Sequence, residues 1–226
     1  MPIVALASFP RSGNTWSRSL IQIATQIYTT SVYWKDEGKL PRANTIFQGN
    51  KVDYQNGQGV CTKTHEHDNL TLREFKNGAI LLIRDPLKAA VSDFVRCGHD
   101  HNLTTEDVGR HLESNDDKWK SFQRRRYDVW TSMAMTWISA DLPLLIVYYE
   151  DLRDNPTREL LRMVKFLKQP IDLIRIQCAV FENPLREHRF NFRLPVRDIS
   201  MHHYIATVNE TLMSFDSRPL PSYGST

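Results

Sequence analysis

Lys63 and His65 stand one residue apart in Val60-Cys61-Thr62-Lys63-Thr64-His65-Glu66-His67, at the end of a short β-branched run. Alternate residues of a strand face the same side. A cation to stabilise a transferring anionic group and an imidazole to take a proton would therefore share one face. A second cluster lies near the start, where Phe9-Pro10-Arg11-Ser12-Gly13-Asn14-Thr15-Trp16 follows the apolar run that begins at Ile3. Arg11 supplies a permanent cation with a planar donor fork, and Ser12, Asn14 and Thr15 supply neutral donors. A third is Arg84-Asp85-Pro86, with Ser92 eight residues after Arg84. These clusters suggest two anion sites and a proton acceptor. The plainer alternatives are an ordinary turn at Gly13, a pairing of Arg84 with a carboxylate such as Asp85, and a strand-end histidine that is only hydrogen-bonded.

The elements needed to position them are legible. Ile3 to Ser8 reads as a strand, and Trp16, Leu20, Ile21, Ala24 and Ile27 recur at helical spacing. Strand, tight loop and helix N-terminus together form a site for a phosphate-like group, because loop N–H groups and the helix dipole point at one place. This is not the loop of nucleoside-triphosphate enzymes, which needs G-x-x-x-x-G-K-[ST]. Here the first glycine is missing and the cation precedes Gly13. Ala79 to Ile83 is an apolar run of the kind buried in a parallel sheet. Asp85 fits the cap and Pro86 the first position of the helix that follows. The pattern predicts strands near 3–8, 60–64, 79–83 and 144–149, and helices near 15–29, 86–97, 119–140 and 156–168. Such alternation implies an α/β fold around a central parallel sheet.

Together these segments resemble the sulfotransferases that use 3′-phosphoadenosine 5′-phosphosulfate (PAPS). The family's loop for the 5′-phosphosulfate, Tyr/Phe-Pro-Lys/Arg-Ser-Gly-Thr-Thr-Trp, is similar to Phe9–Trp16. Its Lys-Thr-His segment matches Lys63, Thr64 and His65, and its 3′-phosphate motif matches Arg84 and Ser92. A fourth match is Val147-Tyr148-Tyr149-Glu150-Asp151-Leu152-Arg153-Asp154-Asn155-Pro156, with Glu159 beyond. The late Arg-Lys-Gly-x-x-Gly-x-Trp clamp of cytosolic members has no counterpart. In its place Glu187-His188-Arg189-Phe190-Asn191-Phe192 looks like the Phe-His-Arg-Lys segment of the WSC-domain-containing group, which also begins Ser-Phe-Pro-Arg-Ser-Gly-Asn-Thr-Trp.

The resemblance implies a three-layer α/β sandwich with a P-loop-like sulfotransferase fold, and roles for individual residues. His65 would be the base, with His67 as the alternative. Arg11 and Lys63 would stabilise the sulfuryl group and the leaving oxygen. Arg11, Ser12, Gly13, Asn14 and Thr15 would hold the 5′-phosphate side, and Arg84 and Ser92 the 3′-phosphate. Trp16 and Tyr149 would border the adenine, and Arg189 would replace the absent clamp. The acceptor would be a hydroxyl on a carbohydrate, and the WSC-type resemblance favours sialic acid and a Golgi setting. A nucleotide kinase-like phosphotransferase and a non-catalytic nucleotide-binding relative are the competing readings.

Composition bounds the rest. With 226 residues and 41% hydrophobic content, the chain suffices for one domain, expected over 1–215, with a disordered Ser/Pro/Gly-rich tail over 216–226. A net charge of +3 and the absence of a nucleic-acid motif argue against nucleic-acid partners. The first apolar run is too short for a membrane span. His65-Glu66-His67, His99-Asp100-His101 and His202-His203 lack the spacings usual for zinc, so no metal is expected. Arg124-Arg125-Arg126 reads as a solvated helix face, or as an attractor of an acidic acceptor. Residues 30–59 lack periodicity and read as loops on the acceptor side.

Overall fold

Two strands buried on both faces organise the chain. The computed structural model describes residues 2–37, 39, 47–100, 104–183, 206, 208 and 209. Strand β1 (Ala5–Ser8) is buried at every position, and so is β4 (Ala79–Ile83). With β2 (Thr30–Ser31), β3 (Thr62–Thr64) and β5 (Leu144–Tyr148) they form a parallel sheet in the order β2-β3-β1-β4-β5. The register sets Leu6 beside Lys63, Ser8 beside Leu82, and Ile83 beside Tyr148. All strand C-termini therefore reach one edge.

Side chains alternate across this sheet with period two. Ala5, Ala7, Ala79, Leu81 and Ile83 face one apolar layer, and Leu6, Ile80 and Leu82 face the other. The first layer is built from α4 (Pro86–Asp100), α5 (Thr105–Ser114) and the long α6 (Asp117–Ile138), with Phe94, Trp119, Trp130 and Trp137 buried. The second is built from α1 (Asn14–Thr25), α8 (Pro156–Phe166) and α9 (Leu173–Glu182). The result is a three-layer α/β sandwich. Three short helices, α2 (Trp34–Glu37), α3 (Asn69–Glu74) and α7 (Tyr149–Asp154), lie between the larger elements. Adjacent strands β1 and β4 send their chains to opposite faces, which makes a crevice at their C-terminal ends.

Caps explain the helix starts. Asp85 accepts from the Lys88 N–H at 3.0 Å, one residue before Pro86. Asp116 caps α6 through the Trp119 N–H at 3.0 Å, so that helix begins two residues before the predicted 119. Helix α1 stops at Thr25 rather than 29. Gln26 adopts a left-handed conformation (φ 59°), and its N–H closes the last turn on Gln22. That early stop lets Thr30 pair with Thr62. The expected loop region 30–59 therefore contains an edge strand, a helical turn and two 3₁₀ turns, Gln48–Lys51 and Tyr54–Asn56.

Candidate functional site

The loop after β1 is shaped by two left-handed residues, Arg11 (φ 66°) and Gly13 (φ 91°). Gly13 caps α1 without any side-chain hydrogen bond, so the first-turn N–H groups remain open to the crevice. A Cβ on Gly13 would come within 2.7 Å of the Tyr149 ring. Ser12 Oγ and Ser17 Oγ are buried there without a hydrogen-bond partner. Buried hydroxyls beside an uncapped helix N-terminus suit a phosphate group.

The ends of β1 and β4 are tied to each other. Arg11 Nε donates to Ser92 Oγ of α4 at 3.1 Å. The Arg84 guanidinium donates to the Arg11 carbonyl at 2.6 Å and lies over the Tyr149 ring, 4.3 Å from its centroid. Trp16 meets Tyr149 edge-on at 6.4 Å. Arg84 thus faces the loop rather than pairing with Asp85, and its Nε is buried and unpartnered. Behind it, burial raises the Asp85 and Glu150 carboxyls above their usual range. The Arg84 carbonyl accepts the Trp130 indole N–H at 3.0 Å.

His65 follows β3 directly. Its Nδ1 lies 2.6 Å from the Ser8 carbonyl, and a carbonyl can only accept, so Nδ1 carries the hydrogen. Nε2 of the neutral ring is then the basic nitrogen. Burial lowers the His65 pKa, the Lys63 charge lowers it further, and the Ser8 hydrogen bond opposes both. The His65 N–H donates to Tyr33 Oη at 3.0 Å, and Tyr33 donates in turn to Glu66 at 2.7 Å. Tyr33 also stacks on the imidazole at 6.0 Å. Lys63 is ion-paired with Glu37 at the end of α2, and its ammonium lies 5.4 Å from the Tyr33 ring.

Comparison with known proteins gives this arrangement a context. The sulfotransferase domain family matches residues 2–194. The chain belongs to that family. WSCD family members of Drosophila pseudoobscura pseudoobscura and Drosophila melanogaster are each 36% identical over 179 residues, covering 79% of this chain and 54% of the relative. One from Aedes aegypti is 34% identical over 181 residues, with the same coverage. The chain thus spans about half the length of these curated relatives. Among solved structures, mouse sulfotransferase SULT7A1 complexed with PAP superposes with TM-score 0.54 at 16% identity, over 86% of this chain and 72% of that one. The sulfotransferase domain of the Synechococcus PCC 7002 olefin synthase gives 0.55 at 15% identity, over 98% and 96%. At such identities these two show the sulfotransferase fold.

In this sulfotransferase domain most of the predicted site residues gather around the crevice, with three qualifications. The Asn14 side chain is not a free donor, because its amide is engaged by the Leu6 carbonyl at 2.9 Å and Ser8 Oγ at 3.1 Å. Only its backbone N–H remains for the loop. Arg189 lies outside the described residues, as do His101, His202 and His203. Arg124 and Arg125 are exposed, whereas Arg126 turns inward to pair with buried Asp93 at 2.9 Å. His67 sits two residues beyond His65, with a buried and unpartnered Nδ1. Among the described residues no group of three or more His, Cys, Asp or Glu is placed to hold a metal ion. Sequence reasoning missed Tyr33 and Glu37, since neither belongs to a periodic segment or a motif.

Proposed function

We propose that this sulfotransferase domain moves a sulfuryl group from PAPS to an acceptor hydroxyl on a carbohydrate, with sialic acid as the acceptor sugar. The observation that carries the reading is the link between two basic strand ends. Arg84 holds the Arg11 carbonyl while Arg11 holds Ser92, so two anion sites are braced a fixed distance apart. A donor with separated 5′ and 3′ phosphate groups suits such a pair. When bound, the donor supplies an activated sulfuryl group and a phosphate leaving group.

The residues divide the remaining work. Backbone N–H groups of Gly13, Asn14 and Thr15, with the Ser12 hydroxyl, hold the 5′ side, the Ser12 N–H being engaged by the Phe9 carbonyl at 3.3 Å. Arg84 and Ser92 take the 3′-phosphate, and Trp16 and Tyr149 border the adenine. Nε2 of His65 accepts the proton of the acceptor hydroxyl, because Nδ1 is committed to Ser8. Arg11 and Lys63 stabilise the charge that develops on the transferring group and the leaving oxygen. The carbohydrate acceptor and a Golgi setting rest on the resemblance to the WSC-type group. No helix among the described residues is long and apolar enough to cross a membrane. We read residues 1–215 as one catalytic domain, a reading supported by the family match over 2–194.

Calorimetric titration with 3′,5′-bisphosphoadenosine, adenosine 5′-monophosphate, and ATP with magnesium tests the donor assignment. Tight, metal-independent binding of the bisphosphate is expected. Arg84→Ala should weaken it about ten- to hundredfold, as the loss of a charged hydrogen bond does, with little change for the monophosphate. Equal weakening of both ligands would remove the 3′-phosphate assignment. Preference for ATP with magnesium would remove the donor assignment altogether.

A further inference from the structure

A buried chain of charge runs beneath the base. Arg18 of α1 is 2% exposed. Its Nε donates to Thr29 Oγ1 at 2.8 Å, and one terminal nitrogen donates to Asn50 Oδ1 at 2.6 Å and the Thr29 carbonyl at 3.3 Å. The guanidinium also lies 4.0 Å from the centre of the Phe47 ring. Its other terminal nitrogen stands 3.8 Å from Glu37 Oε2, and Glu37 Oε1 pairs with Lys63. Glu37 and Lys63 side chains are each 17% exposed. Arg18 is thus immobilised from several sides, and Lys63, whose ammonium lies 5.4 Å from the Tyr33 ring that stacks on His65, is the end of the chain nearest the base.

Charge ordering makes Glu37 the central member. Without its carboxylate, two cations would face each other in a poorly solvated place. Burial pushes the Glu37 carboxyl up, but the Lys63 hydrogen bond and charge, the Ser31 hydroxyl and Arg18 together pull it below its usual value. It is therefore ionised at neutral pH. An ammonium has three donors, so the bond to Glu37 fixes its direction and leaves donors for a second partner.

We propose that Glu37 is a positioning residue for Lys63, held from behind by Arg18 so that the ammonium is presented beside His65 at the point of transfer. The proposal rests on the sulfotransferase reading for the use of Lys63, and on geometry alone for the coupling. The groups facing His65 are the Ser8 carbonyl from β1, Tyr33 from the turn before α2, Glu37 from α2, Lys63 from β3, and Glu66. Of the two charges in the pair, Glu37 raises the His65 pKa and Lys63 lowers it. Removing Lys63 should therefore raise the His65 pKa, and removing Glu37 once Lys63 is gone should lower it again.

The test combines NMR titration of the His65 ring with kinetics on Glu37→Gln, Lys63→Met and the double variant. Lys63→Met should shift the His65 titration to higher pH, and adding Glu37→Gln to that variant should shift it back toward lower pH. With PAPS as donor and a sialylated acceptor, Glu37→Gln should lower kcat about tenfold or more, as misplacing a catalytic group does. Its affinity for 3′,5′-bisphosphoadenosine should not change. In the Lys63→Met background the same substitution should cost nothing further. If Glu37→Gln does not fold, Glu37→Asp keeps the charge facing Arg18 but shortens the reach to Lys63, and it should lower kcat only while Lys63 is present. An equal loss of kcat from Glu37→Gln with and without Lys63 overturns the proposal, and so does a His65 titration that Lys63→Met leaves unmoved. A wild-type domain that neither binds the bisphosphate nor turns over fails the sulfotransferase reading instead, while the Lys63→Met titration shift still reports whether the ammonium stands beside His65.

Discussion

His65 shows how one hydrogen bond decides which ring nitrogen is left to accept a proton. With Nδ1–H held on Ser8, the ring offers Nε2 only while it is neutral. Burial keeps its pKa below the ordinary histidine value of about 6.5, so the basic form prevails at neutral pH. As pH falls through the lowered value Nε2 is protonated, and on the proposed role of His65 as base transfer should stop with it. The acid limb of kcat/KM should accordingly lie below about pH 6.5. The unfolded chain binds the extra proton first, so this group's contribution to stability is complete above the unfolded value and is lost as pH falls through the folded one. His65→Ala should reduce transfer by about 10²- to 10⁴-fold while calorimetry finds bisphosphate binding intact. Loss of both together would make His65 a structural residue.

At the scale of elements, the turn from β1 into α1 does most of the positioning, and Gly13 is its narrowest point. Gly13→Ala would place a methyl group 2.7 Å from the Tyr149 ring while demanding a φ of 91° from an L-residue. The backbone penalty is about 1–2 kcal/mol, which corresponds to a fall in Tm of several degrees, at ~2–4 °C per kcal/mol in a chain of this size. Displacing Tyr149 also disturbs the stacking of Arg84, so bisphosphate affinity should fall more than the melt alone suggests. Unchanged affinity would mean that the Tyr149 wall does not touch the donor. This turn was legible in the sequence because its information is local: an apolar run, an arginine, a glycine, then helical spacing. Asp85 and Pro86 were legible for the same reason. Helix α2 was not. Trp34–Glu37 is too short for any periodicity, and the value of Glu37 arises only where α1 and β3 bring Arg18 and Lys63 to either side of it. The engagement of the Asn14 amide inside the fold was not legible either, because its residue type announces a donor but not which way the amide points.

Over the whole molecule, the layered α/β sandwich was readable from alternating apolar runs and helical segments. The edge strand β2 was not, since two residues carry no pattern and pair only because α1 stops early. What gathers the distant pieces is α6, whose buried face spans the sheet from one strand end to another. Its Trp130 indole donates to the Arg84 carbonyl at 3.0 Å, and its Trp137 indole donates to the Glu66 carbonyl at 3.1 Å. On the opposite layer, the Trp16 indole donates to the Asn183 carbonyl at 2.8 Å. Trp130 and Trp137 are thus tied to the chain at Arg84 and Glu66, and Trp16 meets Tyr149 with its ring, so the three indoles should report on different parts of the site. In a ¹⁵N-labelled domain, adding 3′,5′-bisphosphoadenosine should displace the Trp130 and Trp16 side-chain resonances, and an acceptor bound beside His65 should displace that of Trp137. The order in which those signals move would reveal the sequence of substrate arrival without any chromophore being introduced.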